Sequence, residues 1–156
     1  GDPAHGAVDV GDEVLATEAE AVVSDRVLRR ATEQAGLDRS LVGDGGVDCA
    51  VPVLRAATSA RRRGKSLVLD VRVELADPIL AKNACNAVVR AYLDERRERR
   101  IDSAREKVLQ LSDQLDAFDG GQAPASLRDE LARQETAASS HESDAWLQSP
   151  CEIATR

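Results

Sequence analysis

The stretch "SLVLDVRVELADPILAKNACNAVVRAY", Ser66–Tyr92, decides the fold. In its first half every second residue is apolar: Leu67, Leu69, Val71, Val73 and Leu75 alternate with Val68, Asp70, Arg72 and Glu74. A period of two predicts a half-buried strand with one face on a core and one in water. Asp77-Pro78 then supplies an N-cap and a proline at the first helical position, where its missing N–H costs nothing. From there the period becomes helical, with Leu80, Ala84, Ala87, Val88, Ala91 and Tyr92 forming a broad apolar stripe.

No breaker interrupts the pattern before Phe118, so the expected helix is roughly 60 Å long, far beyond an average globular helix. Its halves differ. Ile101, Ala104, Val108, Leu111, Leu115 and Phe118 follow the alternating three-and-four spacing of a coiled-coil seam. Between the two patterns lies Asp94-Glu95-Arg96-Arg97-Glu98-Arg99-Arg100, without an apolar residue. A globular core cannot accept such a segment, so the helix is expected to leave the body there. Gly120-Gly121 reads as its stop. Pro124 and Ser126, with Asp129 completing a capping box, read as the start of a returning helix through Leu127, Leu131, Gln134, Ala138, His141 and Ala145. The prediction is an antiparallel coiled-coil hairpin over about 94–148, closed by Ser149-Pro150.

Working towards the N-terminus, Gly1–Gly11 reads as a flexible leader. Leu15, Ala19, Val22, Val23, Val27, Ala31 and Ala35 then recur at helical spacing, with Ser24 as an internal N-cap and Gly36 as a C-terminal stop. Asp38–Asp48 reads as a loop and Ala50–Arg63 as a short helix after Pro52. A lone strand leaves its backbone unsatisfied, and the candidate partners are Asp48–Val53 and Cys151–Thr155. The expected fold class is α+β: a small sheet packed with helices, plus a long helix that extends into the hairpin. Residues 12–156 are expected to form a single domain.

The net charge of −7 and the single Phe, Tyr and Trp argue against a nucleic-acid binder, which needs a basic face and stacking rings. A 42% hydrophobic fraction, strongly patterned, argues against disorder throughout. No apolar run approaches the roughly 20 residues of a membrane span. Arg61-Arg62-Arg63-Gly64-Lys65-Ser66 ends like a phosphate loop, but Ser59 stands where the first glycine belongs, and a strand follows instead of a helix. His5 lies in the leader, and His141, with Glu142 and Asp144 nearby, continues the rhythm of the returning helix and reads as a seam or surface residue. Cys49, Cys85 and Cys151 form no CxxC pair, so they read either as buried thiols or as one disulfide with a cysteine left over. Acidic neighbours such as Asp94/Glu95 and Asp129/Glu130 diverge on a helix. Asp70 and Glu74 are expected to pair with Arg72 or with charges across the sheet. No catalytic, cofactor-binding or metal-binding set emerges, and the expectation is a protein that is not an enzyme. The charged run reads either as a solvated helix with internal pairs such as Glu95–Arg99 and Asp102–Arg105, or as a contact surface. In the second reading Arg96, Arg97, Arg99 and Arg100 meet a neighbouring subunit or an anionic polymer.

Three stretches resemble the polysaccharide co-polymerases, the chain-length determinants of bacterial O-antigen, capsule and exopolysaccharide export. "EAEAVVSDRVLRRATEQAGLDR", Glu18–Arg39, is similar to the family's early helix with its Gly-Leu-Asp turn. "SLVLDVRVELADP", Ser66–Pro78, is similar to its strand entering Asp-Pro. "ILAKNACNAVVRAYLDERRERRIDSAREKVLQLSDQL", Ile79–Leu115, resembles the following helix, with Asn86-Ala87, Ala91 and Tyr92 ahead of a charged coiled coil. The resemblance implies the periplasmic domain of an inner-membrane protein whose membrane helices lie outside this chain. It implies a homo-oligomer that sets polysaccharide chain length with a partner polymerase, without chemistry of its own, and in some members with a cytoplasmic tyrosine kinase. The segment after Phe118 is shorter than in many members, and the cysteines match no family motif. Rival expectations are a sensory domain of a tyrosine-kinase-linked exopolysaccharide protein and a periplasmic adaptor of an export pump.

Overall fold

The structure is a computed structural model describing residues 10–118 and 124–139. It is mostly helical (79%) with one two-stranded antiparallel sheet, an α+β arrangement. The described residues divide into two compact units, one ending at Leu93 and the other beginning at Asp94.

The first unit opens with α1 (Val10–Val22) and α2 (Asp25–Ala35). Helix α1 begins inside the segment expected to be a loose leader. Ser24 breaks the two apart: its extended backbone ends α1, and its hydroxyl accepts from the Val27 amide to cap α2. Gly36 ends α2 in the left-handed region at φ 59° and ψ 39°, where a side chain would be strained. Helix α3 (Leu37–Val42) and a 3₁₀ turn (Gly43–Gly45) occupy the segment expected to be a loop. The glycines mislead there because Leu37, the first residue of α3, is buried and anchors the helical turn that precedes them.

Helix α4 (Gly46–Ala57) replaces the helix expected after Pro52, and its proline sits inside the helix. Pro52 is exposed whereas Ala50, Val51 and Leu54 are buried, so the lost amide bond falls on the wet side, where water can serve the freed carbonyl. Asp48–Val53 is therefore helical and is not the strand's partner; Cys151–Thr155 lies outside the described residues. The partner is β1 (Thr58–Arg62), which pairs with β2 (Leu69–Val73) with Ala60 opposite Val71. The expected alternation holds in β2: Leu69, Val71 and Val73 are half-buried, while Asp70 and Arg72 are exposed. Leu67, read as the first inward residue, instead lies in the hairpin turn and is 80% exposed.

The basic Gly-Lys-Ser segment is that turn. Gly64 adopts φ 58°. The Arg62 guanidinium donates to the carbonyls of Lys65 and Ser66, both at 2.9 Å, and also pairs with Asp12 on α1. Its polar atoms are thereby committed to holding a bend.

Helix α5 runs from Pro78 to Asp116. Asp77 caps it, accepting from the amides of Ile79 at 2.8 Å and Leu80 at 3.3 Å. Ala84, Ala87, Val88 and Ala91 are buried in one core with Val22, Val27, Leu28, Leu37, Val51 and Leu54, while Val71 and Val73 of β2 pack against it. The Cys85 thiol faces the Val71 carbonyl at 3.7 Å and is buried; Cys49 is exposed, and neither is in a disulfide. Cys151 lies outside the described residues.

In the second unit α5 continues, and α6 spans Ala125–Ser139. Ser126 is not the cap: it lies inside the first turn, and the Pro124 carbonyl accepts from Leu127 at 3.0 Å. Gly120-Gly121 and the continuation through His141, Ala145 and Ser149-Pro150 lie outside the described residues.

Two substitutions test this core. Leu54→Ala, at a fully buried position, should destabilise the protein by about 2–5 kcal/mol in chemical denaturation. Gly36→Ala should cost about 1 kcal/mol through left-handed strain alone, with the folded helical signal unchanged.

Candidate functional site

Arg96, Arg97, Arg99 and Arg100 lie on α5 in the second unit, and all four are exposed. Helical geometry puts Arg96 and Arg100 on adjacent turns of one face, with Arg99 beside them. Among the described residues Arg96, Arg99 and Arg100 carry no ion pair, so the expected Glu95–Arg99 pair is not formed. Glu95 is instead buried at 5% exposure. The other expected pair is present, Arg105 to Asp102 at 3.8 Å. Positions three and four residues either side of Arg96 and Arg100 hold no carboxylate. Two guanidinium groups therefore face each other across one turn with nothing on the helix to neutralise them, an arrangement that costs a few tenths of a kcal/mol.

The remaining charges of the body are more fully matched. Arg63 grips Asp70 through two nitrogens, at 2.8 and 3.0 Å, and Arg72 lies 3.8 Å from Glu74, as the alternation of the strand suggests. Arg29 bonds Asp48 at 2.7 Å; that hydrogen bond and the carboxylate's charge hold the guanidinium above its usual value. Arg55 pairs with Asp25. These exposed pairs contribute little individually. The Tyr92 hydroxyl donates to the Glu18 carboxylate, fixing α1 against α5. Sequence spacing gave no signal for that contact, since 74 residues separate the partners.

The seam positions of distal α5 are partly or fully covered: Ala104 is buried, and Ile101, Val108, Leu111 and Leu115 are half-buried. On α6 the half-buried residues are Leu127, Glu130, Leu131, Gln134 and Ala138. An open groove of ≈ 420 Å³ is lined by Arg105, Val108 and Leu109 together with Glu135, Ala138 and Ser139. Its walls are chiefly aliphatic, and nothing in it can act as a paired acid and base. Among the described residues, no group of three or more His, Cys, Asp or Glu could hold a metal ion. No described helix is long and apolar enough to cross a membrane. His5 and His141 lie outside the described residues.

A stripe that the sequence reading missed runs along the same half of α5. Asp102, Glu106, Asp113 and Asp116 follow spacings of four, seven and three, with Leu109 among them at 66% exposure. Its signal in the sequence is a helical repeat of acidic residues interleaved with the apolar seam.

No family model, no curated protein and no solved structure matches the chain.

If the arginines serve a contact and not the fold, Arg96→Ala with Arg100→Ala should leave stability unchanged or raise it by about 0.2–0.5 kcal/mol, through relieved repulsion and the helix preference of alanine. A loss above about 1 kcal/mol in denaturation would assign them a structural role, beyond what exposed substitutions normally produce.

Proposed function

We propose that the chain is a non-catalytic, oligomerising scaffold that regulates polysaccharide chain length or export at a bacterial inner membrane. The observation that carries this reading is the division of α5. Its first half is core, whereas its second half bears a half-buried three-and-four seam between exposed charged faces. A helix built in that way positions other chains more readily than it transforms a small molecule, and no convergent acid, base and nucleophile accompany it among the described residues. The resemblance of Glu18–Arg39 and Ser66–Leu115 to the polysaccharide co-polymerases supplies the biological setting.

In this reading the second unit is an antiparallel coiled-coil hairpin. Leu127, Leu131, Gln134 and Ala138 on α6 match the rhythm of Ile101, Ala104, Val108, Leu111 and Leu115 on α5, and residues of both helices line the same groove. The domain is periplasmic and works as a homo-oligomer beside a polysaccharide polymerase, with the exposed arginines at the contact surface. Membrane helices outside this chain raise the local concentration for assembly. Deleting the gene and resolving the surface polysaccharide on a gel should change the distribution of polymer lengths. An unchanged distribution rejects the reading.

A further inference from the structure

The β1–β2 hairpin ends in a tip that serves no core. Every residue from Arg63 to Val68 is exposed, and the adjacent aliphatic pair Leu67 and Val68 is 80% and 48% exposed. Cations surround that pair. Arg61 and Lys65 are exposed and carry no ion pair among the described residues, whereas Arg63 is held by Asp70. Between Thr58 and Val73 the chain carries Arg61, Arg62, Arg63, Lys65 and Arg72 against Asp70 alone. The tip is thus a basic island on a chain of net charge −7. Its bend is also served from within. The Arg63 carbonyl accepts from the Ser66 amide at 3.1 Å, those of Lys65 and Ser66 accept from Arg62, and that of Val68 accepts from the Arg63 amide at 2.9 Å.

We propose that this tip is an interfacial anchor for an anionic lipid surface. Leu67 and Val68 leave water for the boundary between headgroups and acyl chains, while Arg61 and Lys65 meet the lipid phosphates. Two features select lipid as the occupant. A soluble polyanion gives two adjacent aliphatic side chains nothing to bury against. A stable protein partner needs on the order of 1,000 Å² of buried surface, far more than a turn supplies. A lipid surface instead takes a narrow apolar wedge to a depth of roughly 5–10 Å. The carbonyls of the bend already have donors, which lowers the cost, because an unpaired carbonyl is expensive away from water. Remote carboxylates of the chain do not prevent the approach, since at about 0.1 M salt their field is screened within about 10 Å. The Arg62–Asp12 pair ties the tip to α1, so anchoring is passed to the body of the first unit. The wedge is small and the contact is therefore reversible. It stands on the hairpin alone and does not depend on the scaffold reading.

The test is cosedimentation of the full 156-residue chain with vesicles of phosphatidylglycerol and phosphatidylcholine in equal parts, with circular dichroism to verify the fold of each variant. Wild type should bind these vesicles, be released as salt rises, and not bind vesicles of phosphatidylcholine alone. Leu67→Ser should weaken binding about tenfold, and Arg61→Glu with Lys65→Glu about tenfold or more. Lys107→Glu with Arg128→Glu changes the net charge equally at exposed positions of the second unit, and should leave binding unchanged. Insertion is read directly by Leu67→Trp combined with Trp146→Phe, which moves the single indole of the chain to the tip. Its emission should shift to the blue when vesicles are added. A wild type that does not bind overturns the proposal, as does equal binding to the neutral vesicles, an unshifted tip indole, or a Leu67→Ser chain that binds as wild type does. Equal loss in the Lys107 and Arg128 variant would reduce the attraction to bulk charge. Binding to soluble polyphosphate as tight as to vesicles would make the tip a polyanion site. Either result rejects the lipid anchor.

Discussion

The first unit depends on how closely one helix can approach its neighbours. Along α5 the buried positions are mainly small: Ala84, Ala87 and Ala91 surround Val88, and all four are at most 8% exposed. Alanine lets the helix backbone come close, so the bulkier partners Leu28, Leu54 and Val27 can fill the space from α2 and α4. The strands then contribute one apolar edge each, Ala60 and Val71, and need no second sheet. A two-stranded hairpin is marginal alone, and packing against a helix is what makes it persist.

Capping and charge fix where each element begins, whereas packing supplies the stability. Ser24 and Asp77 serve the orphan amides of α2 and α5, and Gly36 takes the left-handed geometry that closes α2. Arg62 has a less usual role. One guanidinium holds the hairpin turn and reaches α1, so Arg62, within the stretch that imitates a phosphate loop, is spent on backbone carbonyls and on Asp12. Local structure and long-range packing are joined at that side chain.

Strong periodicity was legible in the sequence and weak periodicity was not. The β2 alternation, the Ser24 break, the Gly36 stop and the Asp77-Pro78 start each rest on one residue type with one physical preference, and the structure places them as expected. Thr58–Arg62 was hidden because Thr-Ser-Ala-Arg-Arg has no apolar alternation; it is a strand because β2 offers it hydrogen bonds. Gly43, Gly45 and Gly46 suggested a loop, but burial of Leu37 outweighs their weak helix propensity. At the candidate site the arginines were visible as a run, while the lack of an ion pair at Arg96, Arg99 and Arg100 was not. Glu95 looked available to Arg99 and is instead buried.

The direction that α5 buries changes along its length. By helical geometry Ala84, Val88 and Ala91 share roughly the same angular face as Asp102, Glu106 and Asp113. That face carries the exposed carboxylates Asp102, Glu106 and Asp113 further along the helix. Carboxylates at those positions cannot enter an apolar core without a large desolvation cost. The sequence of this one helix thus forbids its two halves from burying the same side. The run at 94–100 is where one pattern hands over to the other. Within it Arg96, Arg99 and Arg100 are exposed and carry no ion pair among the described residues.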